Sequence, residues 1–249
     1  MVPFFREEIV DMKELASLIK SDFDLWGKME KLFCDDSWEF EEGNLKLGRD
    51  VCGILFAGRS GYATNGYWLI KFNTVDSLSP NSVLFYHYDS EEVIDENPFL
   101  NYGLSLDKFR GIFEQWRPYN FKLRVEDVNT VLETIPSIKE RRSTLLSIYP
   151  TPVKTTLSLV NRKTYKVTNS YDIPTYANKF SKNNLPDTPK VITVNMNYFD
   201  KIIKIVCDYY NVIELCFSDS VREPLLIKCS NNRGGKPLFK FALAQINCI

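Results

Sequence analysis

One order of elements recurs along this chain: a strand, a short amphipathic helix, then two or three strands. Near the N-terminus, Phe4–Val10 has the pattern of a strand and Met12–Lys20 that of a helix with Leu15, Leu18 and Ile19 on one face. Strands are expected at Val51–Phe56, at Tyr67–Phe72 after a turn at Asn65-Gly66, and at Ser82–Tyr88. A second helix is expected from Ser105 to Trp116, with Ser105 as N-cap and Phe109, Ile112, Phe113 and Trp116 as its apolar stripe. The order then repeats. Asn120–Val125 predicts a strand and Val128–Ile135 a helix that Pro136 helps to end, followed by strands at Thr144–Tyr149, Thr155–Val160 and Thr164–Asn169. Pro174–Pro189 reads as a surface loop, Val191–Asn195 as a strand and Tyr198–Tyr210 as a helix packing Ile202, Ile203 and Val206 on a sheet. Val212–Phe217, Pro224–Cys229 and Pro237–Gln245 close the pattern as strands. Four helices among many antiparallel strands make an α+β chain of two topologically duplicated halves, with expected domains at 1–119 and 120–249.

Charge divides along the same line. The chain is close to neutral, with 31 Lys and Arg against 32 Asp and Glu. Residues 1–120 nevertheless carry a net of −9 and residues 121–249 a net of +8. Halves of opposite sign suit two domains and copies that meet head to tail. The balance lacks the overall basic excess of a typical nucleic-acid binder. With 249 residues, 44% hydrophobic, the chain can bury a sizeable core. It has no apolar run long enough to span a membrane, and Met-Val-Pro-Phe-Phe-Arg-Glu-Glu does not open like a signal peptide. The six cysteines are scattered without a Cys-x-x-Cys, as expected of reduced thiols in a cytoplasmic protein.

Three stretches resemble the DNA polymerase sliding clamps, chiefly the bacterial polymerase III β subunit. Arg49-Asp50-Val51-Cys52-Gly53-Ile54-Leu55-Phe56, followed by Gly61-Tyr62-Ala63-Thr64-Asn65-Gly66-Tyr67-Trp68-Leu69, is similar to that family's R-x-x-L-x-G-v-x-f … A-T-D-G-H-R-L segment. Val194-Asn195-Met196-Asn197-Tyr198-Phe199-Asp200-Lys201-Ile202-Ile203 is similar to its F-N-p-k-Y-L-L-d-a-L. Glu214–Ser220 with Pro224-Leu225-Leu226-Ile227 resembles the strand pair ending in P-v-l-i, and Phe239–Ile246 the final strand and tail. The departures are Asn65 for Asp, Tyr67 for His, Trp68 for Arg, and a tail without the usual Pro.

The resemblance implies a two-domain DNA clamp fold, each domain with antiparallel sheets and two helices. It implies a processivity factor that encircles duplex DNA without reading sequence and tethers DNA polymerase and clamp loader peptides. Clamps are rings of six such domains, so a two-domain chain would close as a homotrimer, its two ends presenting different surfaces. The helix residues implied to meet phosphates are Lys13, Lys20, Lys108, Arg110, Lys139, Arg142, Lys201 and Lys204. Against them stand acids in the same regions, among them Asp11, Glu14, Asp22, Glu126, Asp127, Asp200 and Asp208. The implied partner-peptide pocket comprises Arg49, Cys52, Thr64, Gly66, Tyr67, Trp68 and Leu69, with Leu243, Ala244, Gln245 and Ile246 from the tail. Trp68 also fits the core of an antiparallel strand. A clamp-fold interaction module that closes no ring is the alternative reading, and the acids favour it.

Nothing in the residues calls for catalysis. His87 is the one histidine, at an expected strand end, and Gly234-Gly235-Lys236 lacks the rest of a phosphate-binding loop. No nucleophile–base spacing and no zinc-ligand spacing of cysteines occurs, so no catalytic residue, metal or cofactor is expected.

Overall fold

The computed structural model describes residues 51–73, 82–88, 90–135, 138–176, 183–188, 190–230 and 239–246. The expected strand Phe4–Val10 and helix Met12–Lys20, with Lys13, Lys20 and Arg49, lie outside the described residues.

Thirteen strands and four α-helices follow one another among the described residues. The first group comprises β1 (Gly53–Ala57), β2 (Ser60–Thr64), β3 (Trp68–Asn73), β4 (Val83–His87) and β5 (Val93–Ile94). After a 3-10 turn at Pro98–Tyr102 comes α1 (Leu106–Glu114). Next are β6 (Tyr119–Arg124), α2 (Val125–Glu133), the short α3 (Ile138–Arg142), β7 (Thr144–Pro150), β8 (Lys154–Asn161) and β9 (Val167–Pro174). The chain continues through β10 (Ile192–Asn195), α4 (Met196–Val206), β11 (Val212–Phe217), β12 (Leu225–Ser230) and β13 (Phe239–Leu243).

The strands form two antiparallel sheets. One has nine strands in the order β5-β4-β1-β2-β3-β13-β12-β11-β6, and the other has four in the order β10-β7-β8-β9. The larger sheet crosses the expected division at 119/120 where β3 pairs β13, with Trp68 opposite Leu243 and Phe72 opposite Phe239, and β6 forms its far edge. Tyr176 and Asn184 bridge onto β6 through Lys122 and Asn120, covering an edge that would otherwise offer bare amides. The expected loop at Pro174–Pro189 therefore begins within β9 and carries two bridges.

Alternation along the strands sorts residues to two faces of the large sheet. Ile54, Ala63, Ile70, Phe241, Ile227 and Leu215 share one core with Val128 and Leu132 of α2, Ile202 and Val206 of α4, and the apolar side of the four-stranded sheet. Leu55, Tyr62, Leu69, Ala242, Leu226 and Cys216 share a second core with Phe109 and Phe113 of α1. Thus α1 lies on the face opposite α2 and α4.

Local chemistry explains the boundaries. Ser105 caps α1 by accepting from the Lys108 amide, and Asn195 caps α4 by accepting from Asn197. The chain leaves α1 at Gln115, whose ψ is 127°, before the Arg117-Pro118 pair. That throws Trp116 off the expected apolar stripe, and it is 79% exposed. The expected strand at Thr164–Asn169 begins later, at Val167. The Asn161 side chain accepts from the Lys163 and Thr164 amides, and Tyr165 takes φ 53°, which fixes a turn there.

Candidate functional site

The motif residues around Asn65 form a closed turn that meets the tail. Thr64 Oγ1 donates to the Trp68 carbonyl and accepts from the Gly66 amide at 3.0 Å. Asn65, buried between β2 and β3, accepts from the Tyr67 and Trp68 amides at 3.0 and 3.2 Å. Gly66 carries φ 90°, a left-handed conformation that glycine takes without strain. The Tyr67 ring stacks on that of Tyr198, at the first turn of α4, with centroids 6.0 Å apart. A side-chain hydrogen bond joins Asn65 to the Tyr198 hydroxyl. Burial pushes that hydroxyl above its ordinary pKa, while the bond to Asn65 and the nearby Arg162 and Arg142 oppose the shift.

The tail runs across this turn. Ala244 donates to the Tyr67 carbonyl at 2.8 Å, and Leu243 faces Trp68 across the β3–β13 pair. Gln245 bridges to Val194, and the Ile246 amide donates to Thr193 at 2.8 Å, so the segment adds to the edge of β10. The Gln245 side chain also donates to the Glu223 carbonyl at 2.7 Å. The two sheets and α4 therefore converge on residues 243–246.

Of the pocket candidates, Thr64, Gly66, Tyr67, Trp68, Leu243, Ala244, Gln245 and Ile246 come together here. Gly66 is exposed, and Tyr67, Ala244, Gln245 and Ile246 are half-buried. Trp68 is 3% exposed and packs with Cys52 and Leu243 in the larger core. Leu69 points to the opposite face, into the core under α1. Tyr198 and Glu223 complete the arrangement. The spacing of Tyr198 in its helix was legible, but its stacking on Tyr67, far away in sequence, was not.

The phosphate-contact candidates divide between faces. On α4, Lys201 is half-buried and Lys204 exposed, and Lys204 pairs with the buried Asp200 at 3.0 Å. Arg141 of α3 holds the same carboxylate at 2.7 Å and donates twice to the Ile135 carbonyl, tying α3 to α4. Arg142 is exposed at the end of α3, and Lys139 lies in the same helix. Lys108 and Arg110, on α1, are across the sheet from these. Lys108 donates to the Gly103 carbonyl and Arg110 pairs with Asp107 at 3.7 Å. The four described helices contain seven acidic and seven basic residues, so their summed formal charge is zero. The solvent side of α2 is acidic, with Glu126, Asp127 and Glu133 and no base.

Other sequence candidates fall into place. His87 ends β4 and its Nδ1 accepts from the Ser90 amide at 3.2 Å. Cys52, Cys216 and Cys229 are buried, whereas Cys207 is exposed. Burial lifts Cys216 to about 11. Among the described residues no three His, Cys, Asp or Glu side chains could share a metal ion, and no helix is long and apolar enough to cross a membrane. A cleft of about 520 Å³ between the start of α2 and the end of α4 is lined by Arg124, Glu126, Asn129, Cys207 and Asn211 among others.

This architecture is the DNA sliding-clamp fold. The Caulobacter crescentus DNA polymerase sliding clamp aligns over 89% of this chain and 64% of its own, at 13% identity and a TM-score of 0.55. The Helicobacter pylori β clamp, solved in complex with diflunisal, aligns over 90% and 63% at 12% identity and a TM-score of 0.58. The β subunit of the Streptococcus pyogenes DNA polymerase aligns over 78% and 57%, at 10% identity and 0.51. The chain thus spans less than two thirds of the length of these clamps. No family model matches the sequence, and no curated protein does.

Proposed function

We propose that this protein is a clamp-like processivity factor that tethers replication proteins to duplex DNA through a peptide pocket, and that it performs no chemistry of its own. The observation that carries the reading is the meeting of the Thr64–Trp68 turn with residues 243–246 beside Tyr198. Half-buried aromatic and tail residues at a junction of two sheets suit a short apolar anchor peptide. A ring of six clamp units would take three copies of this chain. The eight-residue edge strand β9, exposed along most of its length, is where a neighbouring copy would add a strand. Replication takes place in the cytoplasm of a bacterial cell, and we place the protein there.

The charge of the helices favours a second reading, the clamp-fold interaction module without DNA. Equal numbers of acids and bases in the four described helices, with α1 on the far face, leave little net attraction for phosphates. Two measurements separate the readings. Light scattering across protein and salt concentrations gives a mass near three times 28.9 kDa for a ring. Closed circular duplex then retains the protein, and linearisation releases it. A monomer at every concentration, retained on neither circular nor linear DNA, selects the module.

A further inference from the structure

The face of the large sheet that carries α1 holds a row of lysines against the ordinary rules of strand pairing. Register places Tyr62 opposite Lys71, Lys71 opposite Lys240, Lys240 opposite Lys228, Lys228 opposite Glu214, and Glu214 opposite Lys122. All five charged residues are half-buried. Like charges directly opposite one another destabilise a sheet, yet three lysines stand side by side on adjacent strands. Among the described residues, Lys71, Lys228 and Lys240 make no salt bridge. Lys71 lies over the Tyr62 ring at 5.6 Å, and Lys240 is drawn below its usual pKa by burial and by both neighbouring lysines.

A second feature adjoins the row. Gly111 is exposed in the interior of α1, where glycine weakens a helix, and an added Cβ there would meet nothing within 4 Å. Its smallness serves no contact within the described chain. Glu114, three residues on and so on the same side of the helix, lies close enough to Lys240 to influence its charge. The bare side of α1 therefore overlooks the lysines.

We propose that this row docks an acidic helix of a partner protein, laid across the strands beside α1. Neighbouring strands are about 4.8 Å apart, so Lys71, Lys240 and Lys228 cover about 10 Å. Positions i, i+3 and i+7 of a helix cover about 10.5 Å in comparable steps. Continuing through Glu214 and Lys122, the signs along the row call for acids at i, i+3, i+7 and i+14 and a base at i+10. The placement has a precedent in α1 itself, which runs across the same strands from Tyr62, where Phe109 stacks, toward Lys240. Glu214 within the row and Glu114 beside it favour a helix of patterned charge over a nucleic acid, whose charge is uniform. The surface is separate from the Thr64–Trp68 pocket, and its occupancy does not depend on ring closure.

The test uses the full chain and a labelled helical peptide of about 20 residues with that charge pattern. Its controls are a peptide with acid also at i+10 and a single-stranded oligothymidylate. Fluorescence anisotropy at about 50 and 200 mM salt is expected to show the patterned peptide binding at least tenfold tighter than the all-acid one, more weakly at the higher salt. Lys240→Gln is expected to lose at least tenfold in affinity while raising the thermal midpoint, since it relieves repulsion, so lost binding cannot be lost folding. Glu214→Lys should reverse the preference toward the all-acid peptide. Equal binding of both peptides, binding untouched by Lys240→Gln, or tighter binding of the oligothymidylate that Lys240→Gln abolishes would each overturn the proposal.

Discussion

Asn65 is the residue on which the turn at the candidate pocket depends, and Asn65→Ala measures that dependence. The substitution removes the acceptor for two backbone amides, those of Tyr67 and Trp68, and the partner of the Tyr198 hydroxyl. Trp68 is buried, so its amide finds no water in place of the lost oxygen. A buried donor left unsatisfied costs roughly 1–3 kcal/mol. Tyr67 is half-buried and recovers part of its loss from solvent. The sum is about 3 kcal/mol, which lowers the midpoint of a chain this long by about 6–12 °C. Asn65→Asp restores the residue of the resembling motif and keeps an oxygen for both amides, so it should stay within about 1 kcal/mol of the parent. Thermal and urea denaturation of the three proteins at neutral pH decide the matter. A loss below about 0.5 kcal/mol for Asn65→Ala, or equal losses for both variants, refutes the assignment of the turn to these hydrogen bonds.

Four further outcomes follow from geometry elsewhere. Arg141→Ala strips a buried carboxylate of its closest cation and the Ile135 carbonyl of its donors, so urea unfolding should show a loss of roughly 2–4 kcal/mol. Lys154→Ala, which breaks the exposed pair with Asp172, should leave the midpoint unmoved. Lys240 binds its proton less tightly folded than unfolded, so the unfolded chain holds more protons just below the ordinary lysine pKa of 10.5. Stability should therefore rise with pH in that window, relative to Lys240→Met, and a difference between the two proteins that stays flat with pH denies the coupling. A thiol reagent should label Cys207 in the folded protein at mildly alkaline pH and reach Cys52, Cys216 and Cys229 only on unfolding, as peptide mapping would show.

Elements governed by neighbouring residues were legible in the sequence. Val212–Phe217 is a strand end to end, Ser105 caps its helix, and Asn65-Gly66 turns the chain as expected. Where competition between local signals decided the outcome, the sequence misled. The apolar spacing of Phe109, Phe113 and Trp116 continues past the point where Gln115 has already turned extended, ahead of Pro118. Ser60–Thr64 lacks the bulky alternation of a strand because Gly61 lies under the Phe72 ring, a contact made across the β2–β3 pair. The charges of Lys108 and Arg110 were visible, but the side of the sheet on which α1 packs depends on pairings many residues away. The candidate pocket was half legible: its turn and tail were named from motifs, whereas Tyr198 and Glu223 join them only through the fold.

The position of β13 has a consequence for how the molecule is made. It is the last strand of the large sheet to be synthesised, yet it stands near the middle, between β3 and β12. Until residues 239–243 have left the ribosome, the sheet exists as two separate pieces, each with a raw edge of strand facing solvent. Assembly of the nine strands is thus held back until β13 emerges, and β3 must wait through the synthesis of every strand from β4 to β12 for its partner. A nascent chain stalled short of Phe239 would carry two sticky edges of opposite origin, a natural client for chaperones and a natural seed for aggregation.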